Sequence, residues 1–262
     1  MSDNLLLVKA EGNICTLTIN QPQKRNALNP DILLSLGDTL NSLKEANQTR
    51  VVVIRGAGVE SFSAGYDIGR IGIREHNLAG PRADPLEYGM NSITSFPYPV
   101  IAMIYGYAVG AGLELAVTCD LRLAADNTRL GVTPAKLGIV YRPEGVMKFL
   151  NLAGISSTKE LLYTGRLIIA QRAKEIGLVD YIYPPSELLP ATYQLAQEIA
   201  ENSPMSVSGA KITINKLMNY QKVSPEDDAE LRKLQSQALH SEDLKEGQRA
   251  FQEKRKPKFT GY

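Results

Sequence analysis

Val51-Val52-Val53-Ile54 is a run of β-branched residues with no polar break, and it limits the folds open to this chain more than any other stretch. Such residues favour extended backbone. Successive side chains of a strand point to opposite faces, so an unbroken apolar run requires cover on both. That is the signature of an interior strand of a parallel sheet packed under helices. Pro99–Tyr105 reads as a second strand of this kind and Leu121–Ala125 as a third. Before them, Leu5–Asn20 alternates around the turn signal Gly12-Asn13 and predicts a hairpin. Pro30–Ala46 carries Ile32, Leu33, Leu36, Leu40 and Leu43 at helical spacing, with Asn29 as N-cap and Pro30 at the first helical position.

From about Glu144 the period turns helical almost throughout. Val179–Tyr183 is one short strand, ended by Pro184-Pro185. Ser186–Glu201, Pro204–Leu217 and Pro225–Ala238 then read as successive helices. Gly69–Asp84 is irregular, a mobile loop with a little helix, and Gly69–Met90 is expected to shape a ligand pocket. The chain is therefore α/β, with a core over residues 1–185 and a helical region over 186–262.

Several function classes are disfavoured. A net charge of +1 provides no global field for nucleic acid or a membrane surface. No apolar run reaches the ~18–20 residues of a bilayer span. Met1-Ser2-Asp3-Asn4 lacks the basic start of a secretory signal, so a cytoplasmic protein is expected. Cys15 and Cys119 lie in apolar contexts and read as buried thiols rather than a disulfide. The only histidines are His76, in the irregular loop, and His240, near a helix end, so neither a metal cluster nor a Ser-His-Asp arrangement is expected.

Two glycine turns follow strands. One is Phe62-Ser63-Ala64-Gly65-Tyr66-Asp67-Ile68, the other Val109-Gly110-Ala111-Gly112, which opens a helix running to about Thr118. Each can be read as a tight connection only. Each can also bring backbone close to a ligand, since glycine has no Cβ. At a helix start the first amides lack intrahelical acceptors and the dipole is positive. The Ala111 amide, with one from the Ser63–Tyr66 turn, would then make a two-donor hole for a developing oxyanion. Neither turn fits a dinucleotide or P-loop fingerprint. Glu114 sits on the first turn of the second helix among apolar neighbours.

Four stretches carry a resemblance: Lys24–Asn29 (KRNALN), Phe62–Ile68 (FSAGYDI), Gly106–Asp126 (GYAVGAGLELAVTCDLRLAAD) and Glu246–Phe259 (EGQRAFQEKRKPKF). Together they resemble the enoyl-CoA hydratase/isomerase, or crotonase, superfamily over essentially the whole chain. The resemblance implies a ββα-superhelix core, a C-terminal helical trimerisation region, and trimers or dimers of trimers. It implies an acyl-CoA substrate, with coenzyme A entering as part of the thioester and no permanently bound cofactor or metal. The hole amides map to Tyr66 and Ala111, with Gly110 beside them. Ala64, Gly65, Tyr66, Asp67 and Ile68 would hold the adenine end of CoA, and Ala27, Gly110 and Thr133 are further CoA-binding positions. Lys24, Arg25 and Lys254 would lie near its phosphates, although the basic tail can equally be a frayed terminus. Asp67 and Asp120 also read as structural acids of a turn and a helix end.

The pattern breaks at one place. A hydratase of this superfamily holds its water between two glutamates, the second twenty residues after the first; Glu114 matches the first, and the second position is Pro134. Proline neither gives nor takes a proton. The local sequence VTPAKLGIVY, ending at Tyr141, resembles a smaller branch that includes methylmalonyl-CoA decarboxylase, although that branch has a histidine where Tyr66 stands. Decarboxylation needs an oxyanion hole, a carboxylate-orienting group such as Tyr141 or Tyr66, and Glu114 to place a water or protonate the product. Glu144 reads either as a first-turn helix carboxylate or as a relocated second acid, and Arg142 as a surface ion pair or a substrate-carboxylate ligand. Three functions stay open: a decarboxylase-type lyase, a hydratase or isomerase with altered acid placement, and a non-catalytic CoA- or RNA-binding member of the fold.

Overall fold

A computed structural model of the chain describes residues 4–71, 78–218 and 224–261. His76 lies outside the described residues. Strand pairs followed by a helix recur along the chain. β1 (Leu6–Glu11) and β2 (Ile14–Ile19) lead to α1 (Pro30–Ala46), and β3 (Val51–Gly56) and β4 (Ser61–Ser63) to α2 (Pro85–Ser95). β5 (Val100–Ile104) and β6 (Tyr107–Val109) lead to α3 (Ala111–Thr118), and β7 (Leu121–Ala125) and β8 (Arg129–Gly131) to α4 (Pro143–Thr164). β9 (Ile168–Ile169), α5 (Ala170–Glu175) and β10 (Tyr181–Tyr183) follow, then α6 (Pro185–Glu201), α7 (Pro204–Met218), α8 (Pro225–Leu239) and α9 (Glu242–Gln252).

After the β1–β2 hairpin, each turn adds one strand to each of two sheets. The larger has the order β1-β2-β3-β5-β7-β10 and the smaller β4-β6-β8-β9. Pairing from β2 to β10 across the larger sheet is parallel. This is the α/β ββα spiral that the motifs imply. The β-branched run behaves as its pattern requires. Val52 and Ile54 pack with Leu36, Ile93 and Leu113 inside the spiral. Val51 and Val53 face outward, where Leu188 and Ala196 of α6 cover them. Each fully buried side chain of this size stabilises the fold by roughly 1.5–3 kcal/mol.

Helix α1 starts as its sequence predicts, with Asn29 Oδ1 accepting the Ile32 N–H at 2.9 Å. Helix α2 is a correction. Residues 85–90 belong to a helix, not to the expected loop, because Asp84 caps Glu87 N–H at 3.0 Å and Pro85 opens the first turn. Strands β4, β6 and β8 are three residues each, too short to show a period. Of the two readings of the basic tail, the frayed terminus does not hold for the described residues 254–261, which are tied to α9. Arg255 pairs with Glu246, and Asp243 accepts the backbone N–H groups of Thr260 and Gly261 at 2.7 and 3.0 Å. Cys15 and Cys119 are buried free thiols. His240 is exposed at the end of α8. Among the described residues no helix is long and apolar enough to cross a membrane and no acidic, His or Cys group could hold a metal ion.

Candidate active site

The two glycine turns meet. A Cβ on Gly65 would lie 2.9 Å from Val109 O and 3.8 Å from Ala111 N, and one on Gly112 would lie 2.6 Å from Ser63 Cβ. Only residues without a side chain permit this approach. Gly65 has φ +104° and Gly110 φ +54°. As the first residue of α3, Ala111 has no intrahelical acceptor for its N–H, which points out of the positive end of the helix.

Lys24–Asn29 braces the first turn from behind. Leu28 N–H donates to Gly65 O and Leu28 O accepts from Asp67 N–H, both at 2.7 Å, and Ala64 N–H donates to Arg25 O at 3.0 Å. In this parallel pairing Leu28 uses its own groups, so the Tyr66 N–H is directed away from Leu28. Buried Asn26 is a residue that motif reading overlooked. It has φ +55°, and its amide donates to Ala57 O at 3.0 Å and Ser61 O at 2.7 Å while accepting from Gln21 N–H.

Glu114 is 1% exposed. α4 lies directly over it: a Cβ on Gly145 would stand 3.1 Å from Glu114 Cδ and 2.5 Å from Tyr141 Cε1. Arg142 Nη2 donates to Glu114 Oε1 at 3.0 Å, and Lys148 Nζ approaches the same oxygen at 3.5 Å. The Tyr141 hydroxyl donates to Gly110 O at 3.4 Å, and Tyr141 is near enough to the carboxylate to favour its charged form. Burial pushes the Glu114 carboxyl up, but the charges of Lys148 and Arg142, with Tyr141 and the Arg142 hydrogen bond, outweigh it and leave the group below its ordinary value. Burial and the neighbouring Glu114 charge hold the Tyr141 phenol well above its usual range. Burial pulls the Lys148 ammonium down, against the opposing pull of Glu114.

The other predicted residues are distributed around this centre. Pro134 is buried in the short turn after Thr133. Arg142 is no surface pair, because its side chain is 13% exposed. Glu144 faces α8, where Arg232 Nη2 meets its Oε1 at 2.6 Å, and its Oε2 is buried without a partner. That carboxylate is given to Arg232 rather than to Glu114. Exposed Lys24 pairs with Asp67 at 3.0 Å, and Asp67 also accepts the Gly69 N–H. Ala27 donates its N–H to Lys24 O. Arg25 and Lys254 are exposed on left-handed backbone. Gln248 of α9 reaches Ile68 O at 3.3 Å, which brings the C-terminal region to the edge of the first turn. Lys148 was missed because nothing in its local sequence marks it; only the docking of α4 on α3 brings it to Glu114.

The family described as enoyl-CoA hydratase/isomerase matches residues 9–262. The crotonyl-CoA hydratase of Syntrophomonas wolfei is 35% identical over 266 residues, covering 98% of both chains. A solved structure of methylmalonyl-CoA decarboxylase matches with a TM-score of 0.89 at 30% identity over 100% of both chains. An enoyl-CoA hydratase structure from Bacillus anthracis matches with a TM-score of 0.77 at 34% identity, covering 99% of this chain and 100% of that one.

Proposed function

The chain belongs to the enoyl-CoA hydratase/isomerase family, and we propose that within this family of acyl-CoA-processing proteins it is a decarboxylase-type lyase that works through a thioester enolate. The observation that carries this reading is Glu114, the one fully buried carboxylate among the described residues. Glu114 faces Arg142, Lys148 and Tyr141, the second-acid position is Pro134, and Glu144 is engaged by Arg232. In this reading the thioester oxygen lies between the Tyr66 and Ala111 amides. The Cα–carboxylate bond breaks, CO2 leaves, and the bond electrons pass into the thioester as an enolate. The amides stabilise the enolate oxygen more than the starting carbonyl. A water placed by Tyr141 and Glu114 then protonates the α-carbon, and the hydroxide formed is neutralised from solvent. Glu114 stays ionised, in keeping with the cations around it. Ala64–Ile68 take the CoA adenine end, Lys24, Arg25 and Lys254 its phosphates, and Ala27, Gly110 and Thr133 are further CoA-binding positions.

CO2 release from malonyl-CoA or methylmalonyl-CoA tests this reading, with loss of the enoyl absorbance of crotonyl-CoA as the competing assay. Rapid hydration without CO2 release refutes it in favour of the hydratase reading. One observation favours that second reading: Glu144 Oε2 is buried and unpartnered on the helix turn that covers Glu114. Tight CoA binding with no turnover of any thioester would instead indicate a binding protein. The C-terminal region, 186–262, would form the subunit contacts of a cytoplasmic trimer or dimer of trimers, supported by Met205, Ile214 and Leu217, which α7 leaves exposed. Sedimentation of the full chain tests this, and a monomer refutes it.

A further inference from the structure

Glu144 and Lys148 stand four residues apart on α4 with the acid nearer the N-terminus, the order in which a helix pairs a glutamate with a lysine most readily. They do not pair. Lys148 Nζ turns to Glu114 Oε1 at 3.5 Å, and Glu144 Oε1 takes Arg232 Nη2 of α8 at 2.6 Å. Asp228, one turn earlier on α8, accepts from Arg232 Nε at 2.7 Å and fixes the guanidinium toward α4. Burial pulls the Lys148 ammonium down and Glu114 pulls it up, and Glu144 adds a smaller upward pull. Glu144 is therefore within electrostatic reach of the cation it forgoes. Its Oε2 is buried without a donor, so half of its carboxylate still lacks one. Two acids compete for one mostly buried ammonium, and a contact from α8 decides which receives it.

We propose that Arg232 is a positioning residue of the site: it holds Glu144 toward α8 and so reserves Lys148 for Glu114. The assignment rests on the reading of Glu114 as the carboxylate of the thioester site. Without Arg232, Glu144 takes the ammonium of its helix neighbour and Lys148 leaves Glu114. The groups still facing Glu114 are then Arg142, at the N-cap of α4, and the Tyr141 phenol before it, with Asp84 of the α2 N-cap drawing on Arg142 at 3.4 Å. Those around Lys148 are Glu114, Arg142, Glu144 and the Cys119 thiol at the end of α3. One cation, itself shared with Asp84, favours the charged form of Glu114 less than two do. The carboxylate then takes up its proton at a higher pH. The Arg232 side chain is 51% exposed, so solvent screens its own field, and it acts through the residue it holds.

The test reads the Glu114 carboxylate by infrared titration of the full chain, with the band missing from Glu114→Gln assigned to Glu114. This readout needs no turnover, so it holds whichever thioester the protein consumes. Arg232→Gln should move the midpoint up by about one pH unit, the lower end for loss of one close opposite charge. Arg232→Lys should recover part of that shift. Lys148→Met should raise the midpoint by a similar amount, and Arg232→Gln added to it should raise it no further, because both act on one contact. Glu144→Gln added to Arg232→Gln removes the competitor and should return the midpoint to its native position. With any thioester that is turned over, the acid limb of the kcat/KM profile should move in step with the band. An unmoved midpoint in Arg232→Gln overturns the assignment. So does a shift that adds in full to that of Lys148→Met, the mark of a lost field rather than a lost partner. A moved midpoint with an unmoved acid limb leaves Arg232 its hold on Lys148 and refutes ionised Glu114 as the group that turnover requires.

Discussion

Lys211 Nζ lies 2.7 Å from Asp120 Oδ2, and the same oxygen accepts the Val100 N–H at 2.7 Å. The other two ammonium protons go to Ile93 O at 3.2 Å and Tyr98 O at 3.0 Å. One side chain of α7 thus fastens the C-terminal helices to the end of α2, the start of β5 and the end of α3, the helix that carries Glu114. Lys211→Met should leave Asp120 and two carbonyls short of a partner and cost about 3 kcal/mol, the lower end for a broken buried pair because Asp120 keeps some solvent contact. Urea unfolding measures it, and an unchanged midpoint would show that the contact is idle.

Gly65→Ala should damage turnover more than folding. At φ +104° a side chain is strained, and its Cβ would sit 2.9 Å from Val109 O. Relief requires the two turns to part, which moves the Tyr66 amide relative to that of Ala111. Loss of one oxyanion donor lowers kcat about 10²–10³-fold, whereas strain of this kind costs about 1–3 kcal/mol of stability. Steady-state rates beside a thermal melt separate the two effects.

Glu114→Gln should abolish turnover, and its effect on stability should depend on pH. Glu114 is held below its ordinary value of 4.5. A group depressed in the folded state contributes stability above its unfolded pKa and loses it as pH falls through the folded value. At neutral pH the variant should be less stable by about 3–5 kcal/mol, because Arg142 and Lys148 lose their shared counter-charge in a buried site. Below pH 4.5 the gap should narrow as native Glu114 takes up its proton. Denaturant melts across pH measure this; a gap constant with pH would mean that Glu114 is not the group titrating.

The two thiols should be inert while the protein is folded. Burial pushes Cys15 up to about 11 and, with the Asp120 charge, Cys119 up to about 12. Only the thiolate reacts. A colorimetric disulfide reagent at pH 8 should titrate neither in the native protein and both in urea.

The larger sheet was legible because Val51–Ile54 needs cover on both faces, and α1 because Asn29-Pro30 signals its start. Asp84-Pro85 carries the same signal for α2 and was obscured by the glycines and prolines before it. The smaller sheet was not legible, since three-residue strands such as β4 and β6 have no measurable period. At the site, the glycines of both turns and the replacement of the second acid by Pro134 were visible as residues. Asn26, which ties the first turn to its neighbours, was hidden by its ordinary polar identity.

By itself, then, the chain's sequence determined the alternation of strand and helix, the family, and the absence of a glutamate at position 134, because each is a property of neighbours in the chain or of a fixed spacing. Tertiary structure alone decided the electrostatics of Glu114. Arg142 and Lys148 come to it from α4 and its N-cap, while Glu144, between them in sequence, goes to Arg232 on α8. Residues on one helix point in different directions, and which of them meets a buried carboxylate depends on the angle and depth at which α4 packs over α3.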